Sequence, residues 1–283
     1  MTQVNRVAGH ARCRMRTTGS TWQVSPIAES RRMQTRRGGD GRMADMQFER
    51  CAVRGGAILY DPRWGGNAPE FLFDREYWRR AGRLRELPVG RGGIAVLDHE
   101  QGALVLRHFH RGGWPARFSE DRYLYTGERR VRAFVELKLD AALRELGLPV
   151  PVPVAARYRR EGFRYVADLV TVLVPGATSL AARLAASCLA PATWSAVGVC
   201  LARFHRAGLD HADLNAHNIL LGADESVHLV DFDGGRLRRP GLWCRGNLRR
   251  LRRSLRKVTR GLDGRFDERD WDLLLAGYTG APR

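Results

Sequence analysis

The stretch from His211 to Asp233, HADLNAHNILLGADESVHLVDFD, carries three oxygen-bearing side chains whose order suits one kind of reaction. Asp213 and Asn218 stand five positions apart, and Asp231 follows thirteen later. A loop carboxylate can take the proton of an attacking hydroxyl. An amide oxygen and a second carboxylate suit a hard cation that bridges phosphate oxygens. The pattern H-x-D-L-x-x-x-N over residues 211–218 therefore reads as the catalytic loop of a phosphoryl transferase, with Asp213 as base and Asn218 as a Mg²⁺ ligand. Val227, Leu229 and Val230 form a short β-prone run that delivers Asp231, the second metal ligand, at a strand end. Taken singly, Asp and Asn are mostly turn or cap residues, because their short side chains bond nearby backbone. The ordered spacing, the Ile219-Leu220-Leu221 strand between the ligands and Phe232 after the second favour the chemical reading.

The upstream elements must hold the phosphates against these groups. Residues 71–87 have apolar and aromatic side chains at helical intervals, which predicts a helix running into Gly90-Arg91-Gly92-Gly93. Ile94 to Leu97 and Ala103 to Phe109 are β-prone runs separated by a turn-like segment, so the glycines open a hairpin. Without side chains, backbone can approach an anion closely, which makes Gly90, Arg91, Gly92 and Gly93 a candidate phosphate loop; a glycine-rich turn alone is only a turn. Residues 131–146 form an amphipathic helix with Phe134, Leu137, Leu139, Ala141 and Leu143 apolar, Glu136 inside it and Gly147 closing it. Pro149, Pro151 and Pro153 then impose an extended segment, and residues 163–174 supply one or two strands before a hinge at Pro175-Gly176. Two helices, over residues 180–189 and 193–207, lead to the catalytic loop, so the fold class is α+β, strand-rich first and helical after.

At 283 residues, 44% of them hydrophobic and 28% charged, the chain has the composition of a globular protein with a sizeable core. No apolar run reaches the roughly 18 residues of a membrane span. The five cysteines are scattered without a C-x-x-C pair, which argues against a disulfide framework and a zinc site and for a reducing cytoplasm. The net charge of +18 is confined to two segments. Residues 1–42 contribute +7 and residues 236–260, with ten Arg, Lys257 and no acid, contribute +11, so the rest of the chain is neutral overall. Two discrete basic segments point to a local anionic partner. Residues 1–45 lack apolar periodicity and read as a disordered extension or an over-extended start, with Met43 or Met46 as the alternative initiator. Over residues 247–260, Leu248, Leu251, Leu255 and Val258 fall at intervals of three, four and three among arginines, which predicts a basic amphipathic helix.

Several of these motifs occur together in one family. Gly90-Arg91-Gly92-Gly93, Leu106-Arg107-His108-Phe109, Arg132-Ala133-Phe134-Val135-Glu136, Leu148-Pro149-Val150-Pro151 and, above all, Asp213-Leu214-Asn215-Ala216-His217-Asn218 resemble the 3-deoxy-D-manno-octulosonic acid (Kdo) kinases of the lipopolysaccharide core kinase family over residues 55–280. The resemblance implies a protein-kinase-like fold with a strand-rich N-lobe over residues 46–175 and a shortened helical C-lobe over residues 176–283. It implies ATP and Mg²⁺ as cofactors and transfer to a Kdo hydroxyl, the 4-hydroxyl, of a Kdo-lipid A precursor. It also implies a peripheral place on the anionic cytoplasmic face of the inner membrane, where Arg249, Arg250, Arg252 and Arg253 would meet the headgroups. Arg107 stands where protein kinases carry a phosphate-binding lysine, and by resemblance it contacts the nucleotide and pairs with Glu136. Ala212 and Asp233 depart from the protein-kinase pattern, in which an arginine and a glycine stand there, so control by activation-loop phosphorylation is not expected. The fifty residues after Asp233 hold no A-P-E signature, which disfavours a peptide acceptor. Three alternatives stay open: a kinase of core heptose, a kinase of protein serine or threonine, and a non-catalytic pseudokinase that binds membrane. The basic runs lack interleaved aromatics, so no nucleic-acid partner is expected.

Overall fold

A computed structural model of the chain describes residues 47–87, 94–110 and 122–281. The candidate loop Gly90, Arg91, Gly92 and Gly93 and the N-terminal 45 residues lie outside the described residues. Strands β1 (Glu49–Val53) and β2 (Gly56–Tyr60) form a hairpin through Gly55 at φ 76°. Helices α1 (Pro62–Gly65) and α2 (Arg75–Arg80) flank a 3₁₀ turn over Pro69–Phe73. Then come β3 (Leu84–Leu87), β4 (Ile94–His99), β5 (Gly102–His108), β6 (Tyr123–Leu124), helix α3 (Arg132–Glu145), β7 (Pro153–Glu161) and β8 (Arg164–Val172). They build one antiparallel sheet in the order β1-β2-β7-β8-β5-β4-β3, with β6 added to β8.

Strand alternation decides which side chains face which layer. Ala57, Leu59, Phe109, Ala156, Tyr158 and Leu169 pack with Phe134 and Leu137 of α3 on one face. On the other, Ile58, Tyr60, Leu104, Leu106 and Val170 pack with Leu72, Phe73 and Trp78. Arg107, between Leu106 and His108, thereby shares the α3 face with Phe109.

The single helix expected over residues 71–87 is not formed. Asp74 caps α2 by accepting from the Glu76 and Tyr77 N–H groups, and Gly82 at φ 67° ends the turn. Leu84–Leu87 then pairs with β4, Leu87 opposite Ile94. Two breaks close together outweigh the helical periodicity, because each changes the backbone path and the apolar residues can be buried from either conformation.

The remainder is helical: β9 (Thr178–Ser179), α4 (Leu180–Ala186), α5 (Pro191–Arg206), β10 (Leu209–Asp210), β11 (Ile219–Leu221), β12 (Val227–Leu229), β13 (Arg236–Leu237), α6 (Leu242–Val258) and α7 (Glu268–Gly280). Its core joins Trp194, Leu201 and Phe204 of α5 to Leu214, Leu229, Phe232, Leu251 and Trp271. Helix α7, which the sequence reading lacks, starts at a reciprocal capping box between Asp267 and Asp270. It crosses α5 where two glycines meet. A Cβ on Gly198 would lie 2.0 Å from the Leu274 carbonyl oxygen, and one on Gly277 2.2 Å from that of Ser195. The architecture is α+β, an antiparallel sheet followed by helices, consistent with a protein-kinase-like fold. Among the described residues no helix is long and apolar enough to cross a membrane.

Candidate active site

Arg107, on β5, is the centre of a half-buried charge cluster in which Glu136 is fully buried. Its Nη2 lies 2.5 Å from Glu136 Oε2, and its Nη1 meets Asp231 Oδ1. The guanidinium also covers the Phe109 ring at 4.7 Å. Glu136 faces two ways, since its Oε1 accepts the backbone N–H of Phe232 at 3.0 Å. One carboxylate on α3 thus fixes both the β5 cation and the backbone just after Asp231. Burial raises the Glu136 carboxyl, to about 7, against the pull of Arg107. Burial works against the Arg107 charge too, but Glu136 and Asp231 overcome it and the guanidinium stays protonated. With two donors aimed at it, the Glu136 carboxylate is the form the contacts require. One turn on, Asp140 is buried with no hydrogen-bond partner for Oδ1. Burial, then Glu136, drive its carboxyl well above the usual range.

His211 ties the catalytic-loop segment to the strand that ends at Asp231. The Asp213 N–H donates to His211 Nδ1 at 3.2 Å, so the ring proton sits on Nε2, which donates to the Val230 carbonyl at 3.1 Å. Burial pushes the His211 pKa down, which keeps this neutral tautomer. Val230 N–H in turn donates to Asn218 O at 3.1 Å. These bonds bring Asp213, Asn218 and Asp231 into one site. Asp231 has φ 65°, in the left-handed region, and a strained non-glycine backbone of this kind is concentrated at functional positions. Phe232 anchors it, buried against Phe204 and His211.

Within the loop, hydrogen bonds orient the candidate side chains. Asn215 Nδ2 donates to the Asp213 carboxylate at 3.0 Å and its Oδ1 accepts the His217 N–H at 2.8 Å. Asn218 Nδ2 donates to the Asp213 carbonyl at 2.9 Å. That bond fixes the amide so that Oδ1, the atom a cation would need, has no protein partner among the described residues. Asn218 Oδ1 and Asp231 Oδ2 are both hard oxygen donors of the kind Mg²⁺ takes. No cluster of three or more His, Cys, Asp or Glu able to hold a metal exists among the described residues, so a protein-only cage is not available. His217 is exposed.

Three side chains on one side of α6 hold the same loop, and none was singled out as such from the sequence. Asn247 Oδ1 accepts the His211 N–H at 3.1 Å, Arg250 Nη1 donates to His211 O at 3.4 Å and Ser254 Oγ accepts the Ala216 N–H at 3.1 Å. Their spacing of three and four was the available signal. Arg132, at the start of α3, donates to Asp233 Oδ1 at 2.6 Å, so the residue that departs from the protein-kinase pattern has a partner of its own. The other arginines of α6 divide. Arg252 and Arg256 pair with Glu268, whereas Arg245, Arg249, Arg253 and Lys257, each four apart, are exposed with no acidic partner among the described residues.

The family model for lipopolysaccharide kinases (Kdo/WaaP) matches residues 75–278, which contain all of these groups. A 3-deoxy-D-manno-octulosonic acid kinase of Stenotrophomonas maltophilia (strain K279a) is 48% identical over 208 residues, covering 72% of this chain and 81% of that protein. Proteins of the same name from Xanthomonas axonopodis pv. citri (strain 306) and Xanthomonas oryzae pv. oryzae (strain PXO99A) are 46% identical over 228 residues and 44% identical over 229, each covering 79% of this chain and 89% of the relative. With a matching model over most of its length and relatives of this similarity, the chain belongs to the lipopolysaccharide kinase (Kdo/WaaP) family and is an ATP-using sugar kinase.

Proposed function

We propose that the protein transfers the γ-phosphoryl group of ATP to the 4-hydroxyl of Kdo on a Kdo-lipid A precursor, at the cytoplasmic face of the inner membrane. The observation that carries this reading is the linkage of Asp213, Asn218 and Asp231 through His211 and Val230, beside the Arg107–Glu136 pair. Asp213, held by Asn215, orients the acceptor hydroxyl and takes its proton. Arg107 and the segment Gly90, Arg91, Gly92 and Gly93 position the triphosphate. Asn218 and Asp231 hold Mg²⁺, which neutralises charge on the phosphate oxygens when bound. Arg107 also pairs with Asp231 Oδ1. The cationic row Arg245, Arg249, Arg253 and Lys257 faces the anionic surface, each charge contributing about 1 kcal/mol near the headgroups.

The test is turnover of ATP and Mg²⁺ with purified Kdo-lipid A precursor beside heptosylated core and casein, with mass spectrometry and fragmentation locating the new phosphate. Asp213→Ala is expected to abolish transfer while nucleotide binding stays close to that of the parent. Retained Kdo phosphorylation in that variant overturns the role of Asp213, and phosphate found only on heptose or casein overturns the acceptor.

A further inference from the structure

Residues 236–242, Arg-Leu-Arg-Arg-Pro-Gly-Leu, are exposed without interruption, and two of them are leucines: Leu237 is 43% exposed and Leu242 81%. A single exposed leucine is ordinary on a protein surface. These two sit on a backbone that is tied down and are set among arginines. Leu237 pairs with Leu209 and Arg236 with Asp210 in the β10–β13 ladder, and Arg238 N–H donates to Gly208 O at 2.8 Å. The Trp243 indole N–H closes the segment onto Arg239 O at 2.9 Å. Arg236 and Arg238 lean on Asp210, while Arg239 and Arg245 have no acidic partner among the described residues. The ladder partner Asp210 immediately precedes His211, so this apolar and cationic edge lies directly beside the loop that carries Asp213.

Apolar side chains held outward with unneutralised arginines around them match one environment, the boundary between acyl chains and anionic headgroups. We propose that Leu237 and Leu242 form a lipid-facing lip that seats in this boundary, with Arg239 and Arg245 on the phosphates, so that a lipid-borne acceptor meets Asp213 from the bilayer side. The lip rests on the reading of the acceptor as a glycolipid and adds the surface through which that acceptor is presented. It shares Arg245 with the cationic row on α6 and differs from that row in its apolar part, which keeps its grip when salt screens charge.

The full-length chain and its Leu237→Ser/Leu242→Ser variant are compared on Kdo-lipid A precursor in phosphatidylglycerol vesicles and on the same headgroup after deacylation. The variant is expected to lose at least tenfold in kcat/KM on the vesicle-borne acceptor through KM, and nothing on the soluble one. In acceptor-free vesicles at high salt it is expected to co-sediment less than the parent, whereas Leu242→Trp co-sediments more, since an indole favours the interface. Equal losses on both acceptors, or vesicle binding at high salt unchanged by the double substitution, overturn the lip. Failure of the parent chain to phosphorylate either acceptor overturns the Kdo reading instead, and the high-salt vesicle comparison still decides the lip.

Discussion

At the scale of single residues, the site is built from side chains that each do two things. Arg107 spans Glu136 and Asp231 with two separate nitrogens, which a lysine cannot reproduce from one ammonium. Arg107→Lys is expected to lower kcat/KM by about 10²-fold, the usual effect of removing one preorganised electrostatic contact, while the fold survives. Circular dichroism and steady-state kinetics check the two parts, and full activity in the variant excludes a role for the forked geometry. Asn215 ties the Asp213 carboxylate to the loop, so Asn215→Ala is expected to reduce kcat about tenfold with the nucleotide KM unchanged. A rise in KM alone would place Asn215 in binding instead. From the sequence, Asp213, Asn218 and Asp231 were visible because their spacing is local and ordered. Asn215 counted only as part of a motif, since its use depends on which way its amide points. Asp140 was hidden, because helical spacing marks it as merely polar on a mostly apolar helix and only packing shows that its carboxyl is buried.

At the scale of elements, helix α6 shows how one segment serves several neighbours. Leu248, Leu251 and Leu255 face the core, Asn247, Arg250 and Ser254 hold the catalytic loop, and Arg245, Arg249, Arg253 and Lys257 face outward. Apolar periodicity revealed the first face. The second could not be separated from the third by charge, as Arg250 stands in sequence beside the outward-facing Arg249. Of Arg249, Arg250, Arg252 and Arg253, which the sequence points toward the headgroups, Arg250 is occupied by His211 and Arg252 by Glu268. The α5–α7 crossing is the tightest packing between helices, and Gly198→Ala or Gly277→Ala is expected to cost about 1–3 kcal/mol through overpacking. Thermal unfolding measures this directly, and an unchanged midpoint in both variants would mean the helices separate without penalty.

At the scale of the whole molecule, two buried histidines couple stability to pH. His205 is buried in α5, with Nδ1 2.9 Å from the Tyr278 hydroxyl of α7 and its ring against Trp243 of α6. Burial lowers its pKa to about 4, although Asn247 and Asp210 pull the other way. In the unfolded chain an imidazole takes up its proton near 6.5, so between that pH and about 4 the unfolded state binds more protons. Stability must then fall on acidification through this window, by on the order of 3 kcal/mol at its lower end for His205 alone. His211 acts in the same direction. Denaturant melts at stepped pH are expected to show this slope, and His205→Phe to flatten it; an identical slope in the variant assigns the effect elsewhere.

The sequence by itself determined the order of the parts. Its motifs placed base and metal-ligand candidates on a loop and a strand end, and its periodicities put a strand-rich segment before a helical one, because both signals are local. Tertiary structure alone decided what those parts touch. Residues 71–87 broke into a turn, a short helix and a strand because a cap and a left-handed glycine outweighed periodicity, and α7 emerged from its packing on α5. Glu136 became the joint between Arg107 and the Phe232 backbone only through contacts across 29 and 96 positions of chain. Distance in sequence carries no information about such pairs; the folded sheet and helices supply it by fixing which faces meet.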